Sequence, residues 1–247
     1  MEQPGQDREI SEERMTKTWG KVFDSPTIKA LHALSSKGYF DHAEFLVNEG
    51  KEANLYLAKD YSGQSLAVKV YKTLVADFKN MRPYIEGDVR FKNVKKTRHG
   101  LIKQWAQKEF KNLTLMQKID ARAPYPIAVK ENVLVMEFIG EGDIASRRLK
   151  ETKNFDAGSV YRAVAGNMAK MLYLGELIHA DLSEYNILMH GNEPVLIDMG
   201  QSVLTNHPKA EEFFFRDVRN MDKFFKSAGI MEPDIVREIR ALKQSLL

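Results

Sequence analysis

Apolar positions along the chain switch between helical and strand spacing, and the switches divide it into elements. Ile28, Leu31 and Leu34 predict a helix over Pro26–Lys37 that stops at Gly38. Three short strand-like runs follow, Glu44–Asn48, Asn54–Lys59 and Ser65–Tyr71, joined by turns holding Glu49-Gly50-Lys51-Glu52-Ala53 and Ser62-Gly63. Thr73 to Gly100 is polar and shows no clear period, too long for an ordinary connector. Leu101–Ile119 then carries a helical stripe of Ile102, Trp105, Glu109, Leu113 and Met116. Glu109 sits on that apolar face, where an unpaired carboxylate would be costly, so it needs a cation. Asn132–Phe138 reads as a strand running into a hinge at Ile139-Gly140-Glu141-Gly142-Asp143. Asp156 caps a helix carrying Val160, Val164, Met168 and Met171. Later helices carry Phe214, Val218, Met221 and Phe225, and, from Pro233 onward, Ile235, Ile239, Leu242 and Leu246.

This order of elements predicts an α+β fold with two lobes. An N-terminal antiparallel sheet lobe over 21–139 contains a flexible basic insert at about 73–100, and a mainly helical C-terminal lobe covers 140–247. Residues 1–20, acidic around Pro4 and Gly5, are expected to be a disordered tail. With 43% hydrophobic and 29% charged residues the composition is that of a globular protein. No apolar run reaches the ~18 residues of a membrane span, and no secretory leader pattern is seen. Zero cysteines exclude disulfides, thiolate metal sites and a cysteine nucleophile. A cytoplasmic location without membrane association is expected. The net charge is only +3, yet Gly87–Lys111 holds eight Lys and Arg against Asp88 and Glu109. That segment is a candidate for meeting a phosphate-rich partner, or else a solvated loop.

The chemistry concentrates in His179-Ala180-Asp181-Leu182-Ser183-Glu184-Tyr185-Asn186, followed by Val195-Leu196-Ile197-Asp198-Met199-Gly200. Asp181 can accept the proton of an attacking hydroxyl, while Asn186 and Asp198 offer oxygens to a hard cation on phosphates. Lys69, in the strand Leu66-Ala67-Val68-Lys69-Val70, supplies the cation that Glu109 requires. A strand lysine paired with a helix glutamate is how protein kinases hold a lysine on nucleotide phosphates. His179 reads as a buttress packed under the loop, while Asp217 falls off the apolar stripe of its helix and is open to either a solvated or an inward-turned role.

In order, Gly50-Lys51-Glu52-Ala53-Asn54, Val68-Lys69, Lys108-Glu109-Phe110-Lys111-Asn112-Leu113, Met136-Glu137-Phe138-Ile139-Gly140, the Asp181 motif and Ile197-Asp198-Met199-Gly200-Gln201 resemble the RIO family of atypical serine protein kinases. The resemblance spans roughly Lys21 to the end, and without room for a winged helix before the first strand it points to the Rio-one subgroup. It implies a truncated kinase-like fold with ATP and Mg²⁺, or Mn²⁺ in its place, in the cleft between the lobes. Asp181 would be the catalytic aspartate; Asn186 and Asp198 would bind metal. Lys69 would touch the α/β-phosphates, oriented by Glu109. Met136 would be the gatekeeper, with the backbone of Glu137 and Ile139 reading adenine. Asp198 is also where an aspartyl-phosphate would form. The acceptor would be a protein serine, the chain's own included. A role in maturing the small ribosomal subunit is implied as well, with 87–111 as a place for rRNA to bind.

Departures from kinase patterns narrow this expectation. Of a three-glycine nucleotide loop only Gly50 is present, so Lys51 and backbone N–H groups would cover the phosphates. Ala180 stands where H-R-D has arginine, which removes an activation-loop phosphate clamp. The stretch after Gly200 is short for a peptide-binding lobe. Two other activities share parts of the pattern: a small-molecule phosphotransferase of the aminoglycoside or choline type, and an ATP-binding assembly factor with little kinase activity.

Overall fold

The computed structural model describes residues 23–73, 78–91 and 97–247. The expected tail, and Lys92, Lys95 and Lys96 of the basic segment, lie outside the described residues. In chain order the first elements are α1 (Ser25–Ser35), β1 (His42–Glu49), β2 (Ala53–Lys59), β3 (Ser65–Tyr71), α2 (Phe78–Glu86), a 3₁₀ turn (Val89–Phe91) and α3 (Arg98–Lys118). Next come β4 (Pro126–Lys130), β5 (Val133–Glu137), β6 (Gly140–Glu141), β7 (Ile144–Ala145), β8 (Arg147–Arg148), a 3₁₀ turn (Leu149–Glu151) and α4 (Ala157–Tyr173). The remainder is β9 (Leu177–Ile178), β10 (Ile187–His190), β11 (Glu193–Leu196), β12 (Val203–Leu204), α5 (Ala210–Ser227) and α6 (Ile235–Leu246).

These elements form two compact units. The first gathers described residues within 1–78, 95–110 and 126–138; the second gathers those within 79–94, 111–125 and 139–247. The first is built on an antiparallel sheet in the order β1-β2-β3-β5-β4. In β3, Leu66, Val68 and Val70 alternate onto the face that packs with Ala30, Leu31 and Leu34 of α1. Burying each such large aliphatic side chain contributes about 1.5–3 kcal/mol, which sets the register. The same alternation turns Lys69 to the opposite face, its ammonium 5.2 Å from the Tyr71 ring centre. Asp24 caps α1 by accepting the Thr27 N–H at 3.0 Å.

In the second unit, Val160, Val164, Met168 and Met171 of α4 are all buried, as their spacing predicts. The β10–β11 hairpin carries Asn186 and Asp198 just beyond its strands, with Ile187 opposite Leu196. Two expectations change. The 73–100 stretch contains α2 and a 3₁₀ turn; a helix of nine residues interrupted by Pro83 gives too few turns for its period to show. In α5 the buried face runs through Phe213, Asp217, Val218, Met221 and Phe225, while Phe214 is only half-buried and Phe215 is 42% exposed. Val218, Met221 and Phe225 are buried as their spacing predicts; only at the start of the helix does Phe213 take the place of Phe214, and a buried carboxylate joins the face.

Candidate active site

Within the first unit, α3 places its stripe as the spacing requires: Ile102, Trp105, Glu109, Leu113 and Met116 are all buried. Glu109, only 1% exposed, receives Lys69 Nζ at 2.9 and 2.8 Å on its two carboxylate oxygens. A desolvated bidentate pair of this kind holds the lysine ammonium at a fixed point above the sheet. Gly50 turns the β1–β2 hairpin: its N–H donates to Ala53 O at 3.0 Å, and a Cβ there would come within 2.7 Å of that oxygen. No side chain but hydrogen fits. Lys51 is exposed beside it. Met136, in β5 opposite Ala67, is buried; Glu137, the last residue of that strand, lies opposite Leu66.

Ile139 belongs to the second unit, and its carbonyl accepts the Ser146 N–H at 2.9 Å. There the structure joins Asp181 and Asn186. Asn186 Nδ2 donates to Asp181 O at 2.8 Å and to Asp181 Oδ2 at 3.1 Å, and Gln201 Nε2 reaches the same carboxylate oxygen at 3.2 Å. Burial pushes the Asp181 carboxyl above its ordinary value, and the neighbouring Asp198 charge pushes the same way; Arg216 and Asn186 pull it back. A proton acceptor with a raised pKa suits a general base. Ala180 and Asp198 both adopt left-handed backbone, at φ 65° and 63°. For a residue with a Cβ this costs about 1–2 kcal/mol, so something must hold each bend.

For Ala180 the restraints are visible. Asp217, buried on α5, accepts the N–H groups of Ala180 and Leu182, each at 2.8 Å, and Arg216 donates to the Ala180 carbonyl. Asn220 Nδ2 adds a bond to Leu182 O at 3.0 Å. Burial drives the Asp217 carboxyl up to about 7, against the two amide bonds and Arg216, which favour its charged form. His179 is buried beneath the loop, with Nε2 donating to Ile197 O at 3.0 Å, and burial lowers its pKa to about 4. It is neutral at physiological pH and works as a buttress, as expected. Gln201, Arg216 and Asn220 are polar groups that the sequence does not single out. None lies in a periodic pattern that would mark it, although Gln201 ends the quoted Asp198 motif.

The donor set fits a hard cation carried by phosphates. Both bonds from Asn186 to Asp181 use its amide nitrogen, so neither engages Oδ1, and Asp198 supplies a carboxylate. No group of three or more His, Cys, Asp or Glu forms a metal cage among the described residues. Mg²⁺ held by one or two side chains plus phosphates and waters needs none. Among those residues, too, no helix is long and apolar enough to cross a membrane.

Comparison with known proteins agrees with these features. A family model described as "RIO domain" matches residues 54–238. The "RIO-type serine/threonine-protein kinase Rio1" of Haloferax volcanii is 40% identical over 230 residues, covering 90% of this chain and 79% of the relative. Its namesake in Methanocaldococcus jannaschii is 40% identical over 210 residues, covering 85% and 72%. The human "Serine/threonine-protein kinase RIO1" is 36% identical, covering 83% of this chain and 37% of its own length. Among solved structures, the Rio2 kinase–ADP/Mg²⁺–phosphoaspartate complex from Chaetomium thermophilum superposes with TM-score 0.65 at 19% identity, covering 94% of this chain and 76% of that one; that likeness shows the fold. The chain therefore belongs to the RIO family of serine/threonine protein kinases, on the side of the Rio1-type members.

Proposed function

We propose that the chain transfers the γ-phosphoryl of ATP to a protein serine, with Asp181 as the base and Lys69 as the phosphate ligand. The single observation that carries this is the Asp181 loop. Its carboxylate is oriented by Asn186 and Gln201, its backbone is gripped by Asp217, and its proton affinity is raised by burial. Asp181 receives the hydroxyl proton of the acceptor. Glu109 keeps Lys69 charged and aimed. Gly50 lets the hairpin backbone approach the phosphates, with Lys51 at its tip. Met136 lines the nucleotide base, and the backbone of Glu137 and Ile139 meets its edge. Asn186 and Asp198 would hold Mg²⁺, which supplies charge neutralisation on the phosphates when bound; Mn²⁺ suits the same oxygen donors.

A second reading has a specific basis. The solved Rio2 complex contains phosphoaspartate, and the corresponding chemistry here would place the phosphoryl on Asp198 in an ATPase cycle. Incubation with γ-labelled ATP and Mg²⁺ separates the two. Acid-stable label on serine is the kinase outcome, and hydroxylamine-labile label lost in Asp198→Ala is the aspartyl-phosphate outcome. Undiminished transfer in Asp181→Ala would refute the assignment of the base.

The partner implied by the family resemblance is a maturing small ribosomal particle in the cytoplasm, met through the basic segment. Among the described residues, Arg90 is engaged with Asp88, Lys103 with Glu131, and Lys108 is buried against Trp105. The proposal therefore rests chiefly on Lys92, Lys95 and Lys96. Their replacement by alanine should weaken binding to ribosomal precursor RNA and flatten its salt dependence; unchanged binding would end it.

A further inference from the structure

The stretch between β3 and α3, polar and aperiodic in sequence, reaches both reactive loops of the second unit through separate side-chain relays. In the first, the Tyr84 ring stacks on Phe213 of α5, with centroids 5.0 Å apart and planes 22° apart. The Arg216 guanidinium lies over the same Phe213 ring at 4.9 Å. It donates to Tyr84 OH at 3.3 Å and to the Ala180 carbonyl. Arg216 and Asp217 thus take the carbonyl and the N–H of one left-handed residue, the one immediately before Asp181.

In the second relay, Arg90 is clamped by Asp88, at 2.9 Å from Nε and 2.6 Å from a terminal nitrogen. Its other terminal nitrogen donates to Asn112 Oδ1 at 2.9 Å. Asn112 is fully buried, and its Nδ2 donates to Met199 O at 2.7 Å and Ser202 O at 3.1 Å. By occupying the amide oxygen, Arg90 decides which way the Asn112 amide faces, and so keeps two donors on the loop that begins at Asp198.

The part of the stretch that carries Pro83 and Gly87 belongs to the second unit and packs within it. His207 Nε2 donates to Pro83 O at 3.0 Å, and a Cβ at Gly87 would come within 2.2 Å of that ring nitrogen. Two guanidiniums, two loops and one segment form a connected set.

We propose that Tyr84 and Arg90 are positioning residues, Tyr84 holding the Asp181 loop through Arg216 and Arg90 holding the Asp198 loop through Asn112. This rests on the reading that those loops perform phosphoryl transfer. The insert is then a working part of the catalytic geometry.

The test uses the full chain and two small substitutions, Tyr84→Phe, which removes one hydroxyl, and Arg90→Leu. Amide hydrogen exchange should rise over 179–182 in Tyr84→Phe and over 199–203 in Arg90→Leu. Exchange over 235–246 should stay as in the parent protein. With γ-labelled ATP and Mg²⁺, kcat should fall about tenfold, the size of one lost charge-assisted hydrogen bond, while KM for ATP stays within about twofold. Adding Tyr84→Phe to Arg216→Ala should cost nothing further, because the relay is already cut. Unchanged exchange in both loops, a uniform rise that includes 235–246, or a KM change at constant kcat would each overturn the proposal. Full activity in Asp181→Ala would instead refute the catalytic reading and leave the exchange result to judge the relays alone.

Discussion

Asp217 offers the sharpest physical test, because one carboxylate supports the Asp181 loop at two points and is itself strained by burial. Its two oxygens accept different amides, Ala180 on one and Leu182 on the other, both at 2.8 Å. Asp217→Asn keeps one acceptor and turns an NH₂ toward the second amide, so one buried N–H loses its partner at about 1–3 kcal/mol. Asp217→Ala strands both, at about 2–6 kcal/mol, a large share of a typical total of about 5–15 kcal/mol. Burial opposes this benefit. The carboxyl is raised from its ordinary 3.8 to about 7 in the folded protein. A folded pKa above the unfolded one gives stability that is fully present below the unfolded value and is lost as pH rises to the folded value. Each pH unit is worth about 1.4 kcal/mol, so the parent protein gives up as much as about 4 kcal/mol between pH 4 and pH 7. Asp217→Asn has no such loss. Urea unfolding of both proteins from pH 4.5 to 8 should show the parent's advantage largest in acid and shrinking toward pH 8. His179 titrates in both proteins and cancels from the difference. An advantage that grows with pH would refute the reasoning and mean that the amide bonds and Arg216 outweigh burial at Asp217.

Two further outcomes follow from buried charge. Lys69→Met leaves the Glu109 carboxylate without its bidentate lysine and should cost about 3–5 kcal/mol in urea unfolding; adding Glu109→Leu should recover much of that loss while phosphoryl transfer stays abolished. A double variant as unstable as the sum of the singles would mean the pair is not the stabilising unit. At His179 burial depresses the folded pKa to about 4 from 6.5, so stability present above pH 6.5 is lost as pH falls toward 4. His179→Phe should flatten unfolding free energy over that window, and an unchanged slope would assign the acid sensitivity elsewhere.

Much of the site was legible where one residue type had to appear at one place in a period. Glu109 on an apolar helical stripe demanded a cation, and Lys69 meets it. Asp181 and Asn186 are expected from sequence as a proton acceptor and a metal ligand, and the fold adds a bond from the Asn186 amide to the aspartate at both its backbone and its side chain. Asp217 falls off the apolar stripe read from sequence, which leaves a solvated role open, and only the fold turns it inward. The helix over 78–86 was not legible, because nine residues interrupted by proline show too little period. Arg216 was invisible for another reason. It lies beside the buried face of α5, and only the left-handed turn at Ala180, a property of the folded loop, brings a carbonyl to it.

By itself the sequence placed the candidate groups. Lys69 and Glu109 stand out from strand and helix periodicity, which acts over a few residues, whereas Asp181, Asn186 and Asp198 stand out as a motif and take their proposed roles from the family resemblance. Only the tertiary structure decided what holds those groups in place. Tyr84 and Arg90 reach the two loops through Arg216 and Asn112 across 132 and 22 residues of chain. Hydrogen bonds between distant segments depend on which surfaces burial brings together, and no local pattern encodes that pairing.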